Sequence, residues 1–223
     1  MKIIAHIETK YKEKFGIPRQ SGIAQNSVAT IVFEPEYRSP DAVRGLSDYS
    51  HVWLLWEFSE AKRESWSPTV RPPRLGGNRR VGVFATRSPY RPNPIGLSSV
   101  RLLAVELTER GPILIVAGAD LLDGTPIYDV KPYLPFTDSH PDAVGGFADG
   151  VQDYALEVQI DNAVLAHVPE EDRDSLLTIL AHDPRPSYQE DPDRIYYVKY
   201  GSFEYSFRVK DNVLTVFHIE KCK

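Results

Sequence analysis

Apolar residues along this chain recur mostly at a period of two. Lys2–Ile7, Val28–Phe33, His51–Phe58, Arg79–Thr86, Leu97–Leu107, Pro112–Leu121 and Pro126–Tyr133 read as strands. A pleated chain sends successive side chains to opposite faces, so this alternation is its signature. His51–Phe58, HVWLLWEF, is short and almost wholly apolar, which predicts a strand buried on both faces. Turns at Glu109–Gly111 and Asp123–Gly124 separate the later strands, and Tyr11–Gln20 reads as a loop punctuated by Gly16 and Pro18. Pro35–Leu46 is a polar connector with room for a helical turn. Many short strands with turn signals between them predict an all-β barrel or sandwich.

The pattern changes beyond Leu134–Gln152, a connector rich in proline and glycine. Tyr154–Ile160 alternates as a strand. Pro169–Ala181 predicts a helix, with Pro169 at the first helical position and Glu170, Glu171 and Asp172 at its positive end. Leu176, Leu177, Ile179 and Leu180 form its apolar face. Arg194–Ile219 holds three strand-like runs separated by Gly201 and by Asp211–Asn212. The predicted fold class is therefore mainly β: an N-terminal β-barrel over residues 1–150 and a small C-terminal α+β domain over residues 151–223.

Composition narrows the function classes. The chain has 223 residues, 42% hydrophobic and 26% charged, enough for a sizeable core. A net charge of −5 excludes a strongly basic protein that coats nucleic acid. It leaves room for a local patch, and Lys62, Arg63, Arg71, Arg74, Arg79, Arg80, Arg87, Arg91 and Arg101 lie together in the sequence. Acidic residues gather instead at 170–174 and 190–193. The single cysteine, Cys222, excludes a disulfide framework within the chain and fits a reducing cytoplasm. No signal peptide and no run of about 18 apolar residues is visible, so a cytoplasmic protein without a membrane span is expected.

Candidate chemistry centres on Arg79–Gly96, RRVGVFATRSPYRPNPIG. Pro89, Pro92 and Pro94 exclude a helix or a central strand from its second half. A stiff cationic loop remains, with arginine interleaved among Trp66, Phe84 and Tyr90. Plain turn chemistry explains the prolines. The recurring arginines fit an anion or nucleotide site better, because guanidinium forks bind phosphate and carboxylate while aromatic rings stack bases. Pro126–Tyr133 is a second candidate, since a period of two puts Asp129, Lys131 and Tyr133 on one face. That face is either a surface ion pair or part of a polar pocket. No glycine-rich dinucleotide fingerprint, P-loop or histidine pair of zinc spacing occurs. Asp138-Ser139-His140 is the nearest approach to a metal motif, and no metal is expected.

Taken together, FATRSPYRPNPIGLSSVRL, LLDGTPIYDVKPYLPF, PRQSG, VRPPRLGGN and the later DPRPSY resemble the TsaA-like, or TrmO, family of tRNA methyltransferases. The likeness runs from about Ile4 to the end and is strongest between His51 and Thr137. It implies a β-barrel that binds S-adenosylmethionine. It also implies methyl transfer to the exocyclic amine of threonylcarbamoyl-adenosine at position 37 of tRNA, with threonine tRNA the expected substrate, and a homodimer with the site near the subunit interface. By motif, the resemblance assigns cofactor contacts to Pro18, Arg19 and Gln20, to Ser59 and Glu60, to Arg87 and Leu97, and to the turn Asp123, Gly124, Thr125 and Pro126. Many relatives carry histidine where Ser59 stands. Arg91, Arg185 and Tyr188 are expected to contact tRNA. An acceptor amine must lose a proton during transfer, so a carboxylate beside it is useful. Asp129 is the expected base, with Lys131 and Tyr133 as orienting partners. Two other readings use the same loops: a non-catalytic RNA-binding barrel, and an S-adenosylmethionine-dependent enzyme acting on a small molecule.

Overall fold

Six antiparallel strands close into a barrel: β1 (Ala5–Glu8), β2 (Val28–Phe33), β3 (His51–Glu57), β6 (Ile95–Thr108), β7 (Gly111–Ala117) and β8 (Pro126–Pro132). Their order around it is β1-β2-β7-β6-β3-β8. Among the described residues, two short strands, β4 (Thr69–Val70) and β5 (Val81–Gly82), pair only with each other. This computed structural model describes residues 1–61, 64–72, 75, 79–151, 154–185 and 191–222. Alternation along each barrel strand fills the interior with Ile7, Ile31, Leu54, Val100, Leu114, Val116 and Ile127, and Leu121 of the β7–β8 connection is buried with them.

Two strand expectations need correction. The β3 strand is not buried on both faces: Val52, Leu54 and Trp56 point inward, while Trp53 and Leu55 are half-buried on the outside. A small closed barrel has one interior, so the second apolar row must face outward. Arg79–Thr86 is not a strand of the barrel either. Only Val81–Gly82 pairs, and Val83–Ala85 is a 3₁₀ turn. Its one partner is the two-residue segment Thr69–Val70, closed in between Pro68 and Pro72, and proline cannot donate to a ladder. Pro35–Leu46 becomes successive 3₁₀ turns at Pro35–Tyr37, Pro40–Val43 and Leu46–Asp48.

The second sheet is built from β9 (Glu157–Ile160), β10 (Tyr196–Tyr200), β11 (Phe203–Lys210) and β12 (Val213–Lys221), in the order β10-β11-β12-β9. The β9 strand runs parallel to β12, and the other pairs are antiparallel. Asp211 and Asn212 both take positive φ, as a two-residue hairpin turn demands. Short helices α1 (Pro135–Asp138) and α2 (Asn162–Leu165) precede the longer α3 (Glu170–Ala181). Pro169 is the N-cap of α3 rather than its first helical residue. Leu176, Ile179 and Leu180 of α3 are buried with Tyr196, Val198, Tyr205 and Phe207 of the sheet.

The connection from β1 to β2 belongs to both cores. Tyr11 and Ala24 are buried in the second core, and Phe15 and Ile17 pack on it. Gly16 sits at φ 92° with Val198 directly over it, a place where only glycine fits. Polar contacts reinforce the seam. Gly201 N–H donates to the Lys10 carbonyl at 2.9 Å, the Lys10 ammonium pairs with Asp172, and the Lys199 N–H donates to Glu13 at 3.2 Å.

Candidate active site

An antiparallel barrel gathers alternate strand ends at each rim. At one rim stand the ends of β1, β3 and β7 and the starts of β2, β6 and β8. The segments singled out in the sequence follow or precede those same ends. Pro18–Gln20 lies between β1 and β2, Ser59–Glu60 follows β3, Arg87 and Leu97 flank the start of β6, and Asp123–Pro126 leads into β8. Segments far apart in sequence therefore share one rim because of strand direction.

Side chains of the β1–β2 loop tie these segments together. Lys12 Nζ lies 2.7 Å from Asp123 Oδ2. Lys14 Nζ lies 3.0 Å from Glu60 Oε2 and 3.2 Å from the Glu60 carbonyl. Gln20 Oε1 accepts from Arg87 Nη1 at 2.5 Å. The Asp123 turn is held from within, because the Thr9 N–H donates to Asp123 Oδ1 at 2.8 Å. Gly124 takes φ 75° and donates to the Ile7 carbonyl, and Thr125 Oγ1 donates to the Leu122 carbonyl at 2.7 Å. Pro18 and Thr125 are buried, whereas Gln20, Ser59, Glu60 and Gly124 are exposed.

Arg19 also reaches the turn after α3. Its Nη2 donates to the carbonyls of Asp183 and Arg185, at 3.1 and 3.2 Å. The guanidinium thus fastens the loop to the turn after α3. Arg185 in turn grips Asp183 with two parallel bonds, Nε to Oδ1 at 2.8 Å and Nη2 to Oδ2 at 2.9 Å. Burial alone would raise the Asp183 carboxyl above its ordinary pKa; the hydrogen bonds and charge of Arg185 outweigh it and hold the group below. Tyr188 lies outside the described residues, as do Lys62, Arg63 and Arg74. Arg91 Nη1 donates to the Thr86 carbonyl at 2.9 Å, which folds the proline loop on itself.

Asp129, Lys131 and Tyr133 do share one face. Asp129 Oδ2 lies 2.8 Å from Lys131 Nζ, and Oδ1 accepts from the Val130 N–H at 3.0 Å. This is the outer face of the barrel, where Asp129 pairs across β3 with Leu55, and Leu55 with Leu97 of β6. The base expected from chemistry and the leucine expected from motif thus occupy one cross-strand row. Tyr133 packs against Trp53 with ring centroids 5.5 Å apart. A bulge where Leu55 and Trp56 face Asp129 and Ile127 makes Tyr128 the extra residue and separates this outer row from the core row.

Asp120 and Ser98 were missed in the sequence. Ser98 is buried, donates to Asp120 Oδ1 at 2.6 Å, and accepts from Trp56 Nε1 at 2.9 Å. Burial raises the Asp120 pKa above its ordinary 3.8, against the opposing pull of Ser98, Arg87 and the Ser21 backbone. The rim thus contains a desolvated carboxylate facing an arginine. Its only sequence trace is an acid directly after a strand, in Gly118-Ala119-Asp120. Among the described residues no cluster of three histidine, cysteine or acidic side chains could hold a metal ion.

Comparison with known proteins identifies the family of the chain. Residues 6–139 match the N-terminal domain of tRNA-methyltransferase O, and residues 153–222 match the TrmO C-terminal domain. A tRNA (adenine(37)-N6)-methyltransferase of Escherichia coli (strain K12) is 43% identical over 225 aligned positions, covering 97% of this chain and 96% of that protein. A protein of the same description from Eikenella corrodens is 47% identical over 169 positions, 75% of this chain and 95% of its own. The crystal structure of TrmO from Pseudomonas aeruginosa superposes with a TM-score of 0.78 at 32% identity, covering 98% of this chain and 97% of that one.

Proposed function

The chain belongs to the TrmO family of S-adenosylmethionine-dependent tRNA methyltransferases, and from that premise we propose that it methylates the exocyclic nitrogen of adenosine 37 where that base already carries a threonylcarbamoyl group, with threonine tRNA as a substrate. The observation that supports this best is the convergence of the four motif segments on one barrel rim, bound to each other through Lys12, Lys14 and Gln20.

The residues at the rim suit S-adenosylmethionine. Arg87, steadied by Gln20, offers a fork for the cofactor's carboxylate, and the desolvated Asp120 offers an anion for its ammonium or sulfonium charge. Leu97, 54% exposed, offers apolar surface to the adenine. Pro18 and the Asp123–Pro126 turn supply backbone of fixed shape. Ser59 and Glu60 close the same rim. When bound, the cofactor supplies the methyl group as an electrophilic sulfonium.

The chain's own work is alignment and proton removal. To accept a methyl group the exocyclic nitrogen must give up its proton, and Asp129 would take it. Lys131 holds that carboxylate in place, and Tyr133 packs beside it against Trp53. Alignment of this kind can remove roughly 7–11 kcal/mol of a barrier in favourable cases. The proposal includes Arg91 and Tyr188 as tRNA contacts. In it Arg185 acts through the Asp183 turn as well as through any phosphate. The proposal also includes a homodimer, to which exposed Leu103 and Phe136 offer apolar side chains, and a cytoplasmic setting, where tRNA is modified. No helix among the described residues is long and apolar enough to cross a membrane.

Nucleoside mass spectrometry of tRNA from cells with and without the protein tests this reading. The methylated threonylcarbamoyl-adenosine peak should vanish in its absence. A peak of unchanged size would refute the assignment.

A further inference from the structure

Between Ser65 and Pro94 the chain carries Arg71, Arg74, Arg79, Arg80, Arg87 and Arg91 and no aspartate or glutamate, in a protein of net charge −5. The β4–β5 arm rises from this segment and carries two aromatic rings at its base. Trp66 is 51% exposed and Phe84 72% exposed, with ring centroids 6.1 Å apart and planes inclined by 30°. Burial does not explain them, since most of both rings faces water.

The backbone beneath the rings is well fixed. Val83, beside Phe84, is 1% exposed and anchors the turn. Its N–H donates to the Pro68 carbonyl at 3.0 Å, which joins the two sides of the arm. Arg80 Nη1 donates to Thr69 Oγ1 at 2.9 Å, and Ser67 Oγ donates to the Thr69 carbonyl at 2.8 Å. Phe84 is three residues from Arg87, so the two Cα atoms are at most about 11 Å apart. The rings therefore stand close to the proposed cofactor wall.

We propose that Trp66 and Phe84 form a stacking platform for the unpaired anticodon-loop bases next to the methylated adenosine, with Arg71, Arg79 and Arg80 neutralising the adjoining phosphates. This rests on the tRNA methyltransferase reading and adds a place for the loop. Single-stranded RNA loops are held by aromatic faces beside arginine, because every base has a π-face and every nucleotide a phosphate. An acid-free arginine segment on an otherwise acidic protein is the charge complement of that ligand. It would repel a basic protein partner. Stacking on the platform would splay the loop and present the target base to the rim.

The test uses the full-length protein and threonine tRNA at fixed low salt. In Trp66→Ala and in Phe84→Ala, tRNA affinity by filter binding should fall about 5- to 150-fold, the range for loss of one stacked base. S-adenosylmethionine affinity by calorimetry should stay within about twofold, and Trp66→Phe and Phe84→Tyr should recover most tRNA binding, as sequence-tolerant stacking requires. If the double alanine variant binds tRNA within about twofold of an active wild type, the platform is refuted. It is refuted equally if that variant changes from dimer to monomer by sedimentation, since the rings would then be a subunit contact. If the wild type methylates no tRNA at all, the enzymatic reading fails, while the binding comparison still decides the platform.

Discussion

Gly96→Ala is the sharpest probe of how the fold builds the site. A Cβ on Gly96 would lie 2.2, 2.4 and 2.6 Å from Cε2, Cζ2 and Cδ2 of Trp56. Those atoms belong to a rigid indole that is 6% exposed, packed 4.2 Å from the Phe58 ring and hydrogen-bonded to Ser98. Its escape routes are closed, so the ring must shift as a body. Overpacking of a filled core costs about 1–3 kcal/mol. A displaced ring also leaves its N–H buried without Ser98, adding about 1–3 kcal/mol. The sum, about 2–6 kcal/mol, corresponds to a fall of roughly 4–24 °C in Tm for a chain of this size. Thermal unfolding followed by circular dichroism measures it. Trp56→Leu should make space, so the double variant should lose less than the two single losses combined. A Tm within about 1 °C of wild type in Gly96→Ala would refute the packing argument. Because Ser98 also holds Asp120, the same variant should bind S-adenosylmethionine more weakly.

Asp120→Asn should flatten part of the pH dependence of stability. The folded pKa of Asp120 is raised above 3.8, so the folded state holds more protons than the unfolded state just above that pH. Its contribution to stability is greatest below pH 3.8 and declines as pH rises through the folded value; Tm differences between variant and wild type from pH 4 to 7 should grow in the variant's favour, and a constant difference would refute the burial account. Asp129→Asn should bind cofactor normally and lose about 10²–10⁴-fold in turnover if the carboxylate is the base; single-turnover methylation of tRNA measures this, and unchanged turnover removes Asp129 from the chemistry. Gly16→Ala meets both a positive φ and the Val198 methyl, 2.3 Å from the added Cβ; the strain and overpacking together should cost about 2–6 kcal/mol by urea denaturation, with a loss under about 0.5 kcal/mol counting against it.

Alternation made the barrel strands legible, because each has one face in a dry interior and one outside. Val28–Phe33 matches its expected bounds, and Pro126–Pro132 and His51–Glu57 fall short of theirs by one residue. Arg79–Thr86 misled because alternation reports a face and not a partner. Flanking prolines left it a two-residue ladder and a 3₁₀ turn. The shared face of Asp129, Lys131 and Tyr133 was legible for the same reason of period. Asp120 was not. Its character comes from burial beside Ser98 and Arg87, residues 22 and 33 positions away, which no local pattern can report. Arg19 shows a different limit: its motif carries no trace of the carbonyls after α3 to which the side chain donates.

That turn of Arg19 links the two cores to one chemistry. The β1–β2 loop contributes Lys12, Lys14 and Gln20 to the rim of the barrel. The same loop contributes Tyr11, Phe15 and Ile17 to the core of the second sheet. A two-residue hairpin would have joined β1 to β2 and left the rim without these ties. The longer path costs ordering entropy, which burial of those aromatic and aliphatic side chains offsets. The second sheet is thus a support that fixes one wall of the barrel rim. Arg19 is bonded to that support at the turn after α3, so displacement of the turn would reach Arg87 through Gln20, the residue next to Arg19.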